Sequence, residues 1–177
     1  MGVEGDVEEV IEAYLETNQE NNTTVSLKDF QDRSGNREVT VSSITVYGES
    51  QEKLPKTGKP FHLAFNFNNP KQYKQSEINF EFRIDDNIGQ RLIWNSSKMV
   101  NTEQDLAVDK IVASMNRCIL NKGTYYLTFY LRVKGLEADW IKNAFRFTVE
   151  EGLFYPSGFE VPSSQSKILT EFNYSFK

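Results

Sequence analysis

Apolar residues recur at every second position in short runs along most of this chain, and this pattern limits the possible folds more than any other feature. Residues 124–134 show it most clearly, because one face of that run is entirely apolar. Its members are Tyr125, Leu127, Phe129, Leu131 and Val133. Successive side chains of a β-strand point to opposite faces of a sheet, so a period of two predicts a strand with one face in a core.

Seven or so such runs follow one another from about Asp32 onward, with turn-forming residues between them and no interleaved helices. They cover residues 37–48, 60–70, 78–84, 91–97, 109–120, 124–134 and 143–151. The first run changes phase near Ser42 and Ser43, which predicts a β-bulge or kink. Half-buried strands joined by turns predict an all-β fold, an antiparallel β-sandwich. The aromatic content of 13% fits this class, since aromatic residues favour strands.

The two ends of the chain depart from this pattern. Residues 1–17 place apolar side chains at helical spacing and predict a short amphipathic N-terminal helix. Residues 18–31 are polar and without a period, which predicts a linker before the sandwich domain at residues 32–177. The last segment, residues 165–177, alternates again. It either folds back on the body or adds a strand to the sheet of another protomer.

Composition argues against several classes of function. The net charge of −5 and the pI near 5.1 argue against binding of nucleic acid through a broad, positively charged surface. With one cysteine and one histidine, the chain cannot form an internal disulfide, and we expect no metal site built on these residues and no cofactor. No apolar run is long enough to span a membrane, and the acidic N-terminus lacks the apolar region of a signal peptide.

Catalytic signatures are also missing from the sequence, which contains no GxxxxGK[ST], GxSxG, HExxH or CxxC motif. Asp85 and Asp86 come nearest to a carboxylate pair, but neighbours on a strand point opposite ways and these two begin a turn. His62 is interpreted as a surface or interface residue and Cys118 as a small core residue. We therefore predict that the chain is not an enzyme.

The outward side of the strands offers a better candidate for a binding site. If strands 78–84, 124–134 and 143–149 share a sheet, arginines and tyrosines converge on one exposed face. The predicted carbohydrate-binding residues are Asn79, Arg83, Tyr126, Tyr130, Arg132, Arg146 and, in a loop at the rim of the sheet, Trp140. Aromatic planes suit the C–H patches of sugars, and guanidinium and amide groups suit their hydroxyls. The alternative is cross-strand pairing that only stabilises the sheet, with Glu81 neutralising an arginine. Trp94 could join this face from the neighbouring strand, but it shares a phase with Leu92, so a core position is predicted.

Five segments of the sequence, in this order, carry a family resemblance. They are RSGNREVTVSSITVYG, TGKPFHLAFNF, FEFRIDDNIGQRLIWNSS, LNKGTYYLTFYLRV and ADWIKNAFRFTVEE. The first opens with an R-x-G-x-x-E-V pattern, and a helix-like segment, VEGDVEEVIEAYLE, precedes it. Together these segments resemble the C-terminal domain of Wzt, the ATP-binding subunit of bacterial ABC transporters that export O-antigen polysaccharide.

This resemblance implies an Ig-like or jelly-roll sandwich that binds a lipid-linked O-antigen glycan, at its non-reducing end, before export. It also implies a homodimer that exchanges its C-terminal strand, and contact with the membrane subunit of a transporter at the cytoplasmic face of the inner membrane of a Gram-negative bacterium. The helix at residues 1–17 would be the end of an upstream ATPase part, so we expect no ATP hydrolysis from this chain. Because glycan contacts in the family vary with the sugar bound, no invariant motif identifies the site. The alternative function is a β-sandwich interaction or dimerisation domain that binds no glycan.

Overall fold

A computed structural model describes residues 22–101 and 104–177 of the chain. The predicted N-terminal helix at residues 1–17 lies outside the described residues. The described strands are β1 (Thr24–Ser26), β2 (Thr40–Tyr47), β3 (Phe61–Asn68), β4 (Ile78–Asp85), β5 (Arg91–Ser96), β6 (Lys110–Met115), β7 (Gly123–Val133) and β8 (Leu136–Val149). Short 3₁₀ turns, Gln75–Glu77 and Ser97–Met99, flank the β4–β5 hairpin.

The strands form two four-stranded antiparallel sheets, with the orders β1-β2-β3-β6 and β5-β4-β7-β8. We call them the first and the second sheet. The predicted all-β antiparallel sandwich is confirmed. The predicted phase change in β2 is also present, as a register shift between Val41 and Ser43.

The core lies between the inner faces of the two sheets and is rich in phenylalanine. The ring of Phe65 on β3 lies 4.6 Å from that of Phe80 on β4, and Phe61 lies 6.0 Å from Phe147 on β8. Burying one such side chain fully contributes about 1.5–3 kcal/mol, so this interface accounts for much of the folding free energy. The alternating residues of β7 that are predicted to be apolar and internal are all buried.

Part of the predicted linker belongs to the sandwich instead. Thr24–Ser26 pairs with β2, and Leu27 is buried in the core. A three-residue strand is too short to show a period of two, which explains why the polar composition of residues 18–31 concealed it.

The predicted loop before the last strand is wrong as well. Residues 136–149 form one continuous strand, β8, and the turn that precedes it consists of Lys134 and Gly135. Both turn residues have positive φ, 50° and 81°, as tight hairpin turns between twisted strands require. The glutamate, alanine and aspartate at the start of β8 have low strand propensity, so the loop prediction followed composition where pairing with β7 decides.

The C-terminal segment crosses one end of the sandwich. The Asn121 side-chain amide donates to the carbonyl oxygens of Val161 at 2.9 Å and Ser166 at 3.1 Å, and Leu169 N–H donates to the Ile119 carbonyl at 2.8 Å. Residues 165–177 contain an isolated bridge, Leu120 to Ile168, but none of the eight strands above. The last three aromatic residues are 76% to 94% exposed; they are Phe172, Tyr174 and Phe176.

Candidate functional site

The order of the second sheet places the outward residues of β4 and β7 at its centre. Across these two strands Glu81 stands opposite Tyr130, and Asn79 stands opposite Arg132. On the outer strands, Trp94 of β5 faces Arg83 and Trp140 of β8 faces Tyr130. The predicted convergence of strands 78–84, 124–134 and 143–149 in one sheet is therefore confirmed.

A cavity of about 390 Å³ opens on this outer face. Its lining includes three arginines, two glutamates and three large aromatic side chains: Arg83, Arg91, Arg132, Glu81, Glu137, Tyr130, Trp94 and Trp140. We call this surface the ring face. The charges are mixed, so the site combines hydrogen-bond donors and acceptors with apolar planes.

The aromatic side chains of the ring face are arranged at angles to one another. The rings of Tyr130 and Trp140 are 5.7 Å apart and nearly perpendicular, at 86°. The guanidinium carbon of Arg132 lies 4.9 Å from the centre of the Tyr130 ring, in cation–π contact. Trp140 and Trp94 remain 44% and 46% exposed, so both indoles present apolar surface to solvent. These planes could pack against an apolar face of a ligand without displacing other side chains.

Polar contacts hold the edge of the ring face in place. Arg83 Nε donates to the Asp85 carboxylate at 3.0 Å, and the two groups form an ion pair. The Asn79 amide donates to Glu81 at 3.0 Å and accepts from the Ser96 hydroxyl at 3.2 Å. Arg132 Nε is buried and has no hydrogen-bond partner among the residues described. Within the cavity lining, Glu81 thus accepts from a neutral donor, whereas Arg83 is ion-paired with Asp85, which lies outside the lining.

A bulge in β8 brings Trp140 into the site. Between Leu127 and Phe129 of β7, the partner on β8 changes from Phe145 to Ile141, so β8 carries extra residues there. The Asn143 N–H donates to the Thr128 hydroxyl at 2.9 Å within this bulge. Without the bulge, the regular pairing would continue from Phe145 and Trp140 would not stand opposite Tyr130.

The structure brings together four of the seven predicted site residues in the cavity: Arg83, Tyr130, Arg132 and Trp140. Tyr126 and Arg146 stand opposite each other nearer the β4–β5 turn and do not line the cavity. Asn79 also lies outside the lining and acts on Glu81. Trp140 is on strand β8, whereas a loop at the rim was predicted.

Of the eight ring-face residues, four are outside the predicted site: Arg91, Glu137, Trp94 and Glu81, which was expected only to neutralise an arginine. The core position predicted for Trp94 is wrong, because the inward residue of β5 at this point is Ile93, paired with Ile84. The run Leu92-Ile93-Trp94 is apolar at every position and has no period of two, so phase alone gave no reliable signal.

A larger cavity of about 570 Å³ lies elsewhere, at the open side of the sandwich between the start of β4 and β6. It is lined by glutamine, serine, lysine and aliphatic residues, without an aromatic ring or a carboxylate. By volume alone, that cavity would be the better candidate for a ligand site. The ring face is the better candidate by chemistry, because binding specificity depends on the placement of polar and aromatic groups.

The other candidates have structural roles. Asp86 accepts hydrogen bonds from the N–H groups of Ile88 at 3.0 Å and Gln90 at 2.9 Å, as expected of a turn residue. His62 stacks on Tyr47 on the outer face of the first sheet, and Cys118 is buried in the core. Within residues 22–101 and 104–177, no group of three or more histidine, cysteine, aspartate or glutamate side chains could hold a metal ion. No helix in these ranges has the length and apolar character that crossing a membrane requires.

Comparison with known proteins identifies the family of this chain. The family model described as the Wzt C-terminal domain matches residues 31–159. A solved structure described as the C-terminal domain of wzt superposes with a TM-score of 0.62 at 12% identity, over 84% of this chain and 90% of that chain. The PmoD soluble domain from Methylocystis sp. ATCC 49242 (Rockwell) matches with a TM-score of 0.38 at 18% identity, over 60% and 90% of the chains, which is too low to support an argument. No curated protein matches.

Proposed function

The chain belongs to the Wzt C-terminal domain family, and on this basis we propose that it binds a bacterial surface polysaccharide at the ring face without catalysing a reaction on it. The observation that carries the proposal is the convergence of three arginines, two glutamates and three aromatic rings on one open cavity. The glycan we propose is an O-antigen chain, held at its non-reducing end while lipid-linked.

The geometry of the ring face suits a sugar residue. A pyranose presents apolar C–H patches on its faces and hydroxyls around its rim. Trp94 and Trp140 offer exposed indole planes for the patches, and the ring of Tyr130 lies beside that of Trp140 in the same cavity. Arginine donors and glutamate acceptors surround these planes and can satisfy hydroxyls that act as both acceptors and donors.

Binding at such a site would be moderate for one sugar unit and stronger for a polymer. Open clefts leave part of the ligand hydrated, so each sugar contributes only a few contacts. A dimer carrying two ring faces would gain affinity for a repeating chain through effective concentration. In the longer protein we propose that this recognition couples the glycan to ABC-transporter export at the cytoplasmic face of the inner membrane, next to the transporter's membrane subunit.

The tail favours a second function, assembly of a homodimer. Phe172, Tyr174 and Phe176 are highly exposed, and the rings of Tyr174 and Phe176 stack at 6.4 Å along an extended segment. An extended aromatic segment that finds no sheet in its own chain can pair in another, so we propose that residues 165–177 are exchanged between protomers. This function is compatible with glycan binding and becomes the alternative if the ring face binds nothing.

The glycan-binding function is tested by an NMR titration of the 177-residue chain. Lipid-free O-polysaccharides from a panel of Gram-negative bacteria are added, with dextran as a neutral control polymer. We expect at least one polysaccharide to shift the side-chain signals of Trp94, Tyr130 and Trp140. Shifts confined to residues 165–177, or none with any polysaccharide, would contradict glycan binding at the ring face.

The same samples test the absence of catalysis. Glu81 and Glu137 both line the cavity, and paired carboxylates are the usual groups of glycoside hydrolysis. We expect the polysaccharide to keep its length distribution after long incubation with the protein, as measured by gel filtration and reducing-end assay. Release of new reducing ends, abolished by Glu81→Gln or Glu137→Gln, would replace the binding proposal with a hydrolase.

A further inference from the structure

Residues 33–37, the start of the R-x-G-x-x-E-V pattern, run along the free edge of β8 behind the ring face. Ser34 and Trp140 exchange both backbone hydrogen bonds, Ser34 N–H to the Trp140 carbonyl at 3.1 Å and Trp140 N–H to the Ser34 carbonyl at 3.0 Å. Asn36 N–H donates to the Glu137 carbonyl at 3.1 Å. The two β8 residues bound in this way both line the cavity.

Arg33 connects this segment to the residue next to Trp140. Its Nε and Nη2 each donate to the Asp139 carboxylate at 2.8 Å, and the two side chains are 5% and 0% exposed. The same guanidinium donates to the carbonyls of Leu27 at 3.0 Å and Val41 at 2.9 Å. The Val41 N–H donates to Asp139 at 2.8 Å. Burial raises the pKa of the Asp139 carboxyl, while the hydrogen bonds from Val41 and Arg33 act in the opposite direction.

The segment approaches β8 closely enough to require a glycine. A Cβ on Gly35 would lie 2.4 Å from the carbonyl carbon and oxygen of Ala138, and Gly35 has a φ of 109°. Both facts restrict this position to glycine. Arg33 and Gly35 of the pattern therefore both hold residues 33–37 against residues 137–140 of β8.

This stretch of β8 is weakly constrained by β7 alone. One register shift lies on each side of it, between Leu127 and Phe129 and between Leu131 and Arg132 of β7. Only a short regular pairing, centred on Trp140 and Tyr130, remains between the two irregularities. A strand held on one side over so few residues needs support on its other edge to keep a side chain in one place.

We propose that residues 33–37 position Glu137 and Trp140 in the ring face, with Arg33 as the positioning residue through its contact with Asp139. The effect on ligand affinity rests on the proposed function of the ring face, whereas the effect on Trp140 itself does not. Because coupling between sites is reciprocal, a ligand that contacts Trp140 also stabilises the pairing of residues 33–37 with β8.

The test compares Arg33→Lys with Arg37→Lys in the 177-residue chain by ¹H–¹⁵N NMR of the two tryptophan indoles. Lysine keeps the charge at residue 33 but loses the planar two-point contact with Asp139. Arg37 lies on the same segment, is exposed, and donates to Gln31 and the Arg33 carbonyl, not to Asp139. We expect Arg33→Lys to move the Trp140 indole signal and the Tyr130 ring signals while the Trp94 indole stays in place, and Arg37→Lys to move neither indole.

Equal movement of both indoles in Arg33→Lys, or a loss of melting temperature with no movement of Trp140, would overturn the proposal and leave Arg33 a stabilising residue only. If Arg33→Lys does not fold, Ser34→Pro takes its place, since it removes one N–H bond to Trp140 and leaves the ion pair. The same pattern of indole shifts is then required.

Affinity is the second readout. With a polysaccharide that the wild type binds, we expect Arg33→Lys to weaken binding about tenfold and Arg37→Lys to leave it unchanged. Hydrogen exchange at the Ser34 and Trp140 amides should slow when that polysaccharide is bound. Unchanged affinity in Arg33→Lys would overturn the positioning role in binding. If the wild type binds no polysaccharide, the proposed function fails, and the two indole signals still decide the positioning.

Discussion

The outer faces of the two sheets arise from the same alternation of residues, yet they differ in which side-chain groups remain accessible to a ligand. On the first sheet, short polar side chains hydrogen-bond one another across the strands. The hydroxyls of Thr24 and Thr45 are 2.9 Å apart, Asn66 donates to Ser43 at 2.9 Å, and His62 Nδ1 lies 2.8 Å from the Ser114 hydroxyl. On this face the polar groups named here satisfy one another.

The second sheet carries long, planar or charged side chains in the equivalent positions. Trp94 stands opposite Arg83, Trp140 stands opposite Tyr130, and all four side chains line one cavity. A large side chain that cannot lie flat beside its neighbours creates a concave surface, and a concave surface can exclude water around a ligand. The comparison indicates that side-chain length and the position of bulges, more than outward polarity, separate the outer face that carries this cavity from the other outer face.

The largest expected difference between the two faces lies in stability. Asp139→Ala should lower the free energy of unfolding by about 3–5 kcal/mol, because it leaves the Arg33 guanidinium buried without a partner charge. Ser114→Ala, on the exposed first face, should change it by less than about 0.5 kcal/mol. Urea denaturation of both variants measures the difference. Similar losses in the two variants would contradict this contribution of the Arg33–Asp139 pair to stability.

The next difference is in binding. Tyr130→Ala removes the aromatic ring that the central strand β7 places in the ring face, and it should weaken polysaccharide binding about tenfold or more, since a central aromatic residue contributes most to such sites. Its cost to stability should be about 1 kcal/mol, from the lost contacts with Trp140 and Arg132. Tyr47→Ala, which removes a ring from the first face, is the matched control.

Isothermal titration calorimetry and thermal melting measure these two effects. Equal losses of affinity in Tyr130→Ala and Tyr47→Ala would remove the functional distinction between the faces. A collapse of the melting temperature in Tyr130→Ala would instead place its ring among the residues that hold the fold together.

The smallest expected effect tests the core that the two faces share. Burial raises the pKa of the Cys118 thiol from 9.0 to about 11, so the reactive thiolate is scarce below that pH in the folded protein. Iodoacetamide at pH 8 should therefore leave Cys118 unmodified in the native wild type, Tyr47→Ala and Tyr130→Ala, and alkylate it in urea, as mass spectrometry would show. If native Cys118 is alkylated in only one of the two variants, the outer face that carries that substitution helps to keep the core closed to the reagent.

Much of this architecture could be predicted from the sequence because it depends on local periodicity. The inward positions of β4 and β7, the bulge in β2, the turn at Asp86 and the core position of Cys118 all follow from residue type and spacing. Where periodicity was absent or too short, prediction failed, as for Thr24–Ser26, Trp94 and the start of β8.

The candidate site divides in the same way. The sequence by itself determined that Arg83, Tyr130 and Arg132 lie on the outward sides of their strands, since the apolar residues between them must be buried; that these strands share one sheet came from the structure. Only the tertiary structure decided that Trp140, Trp94 and Glu137 join them, while Tyr126 and Arg146 stand apart. Bulges and edge pairings shift one strand against the next by whole residues. Their positions depend on contacts between segments far apart in the chain, such as Arg33 with Asp139, and a pattern within one strand carries no record of those contacts.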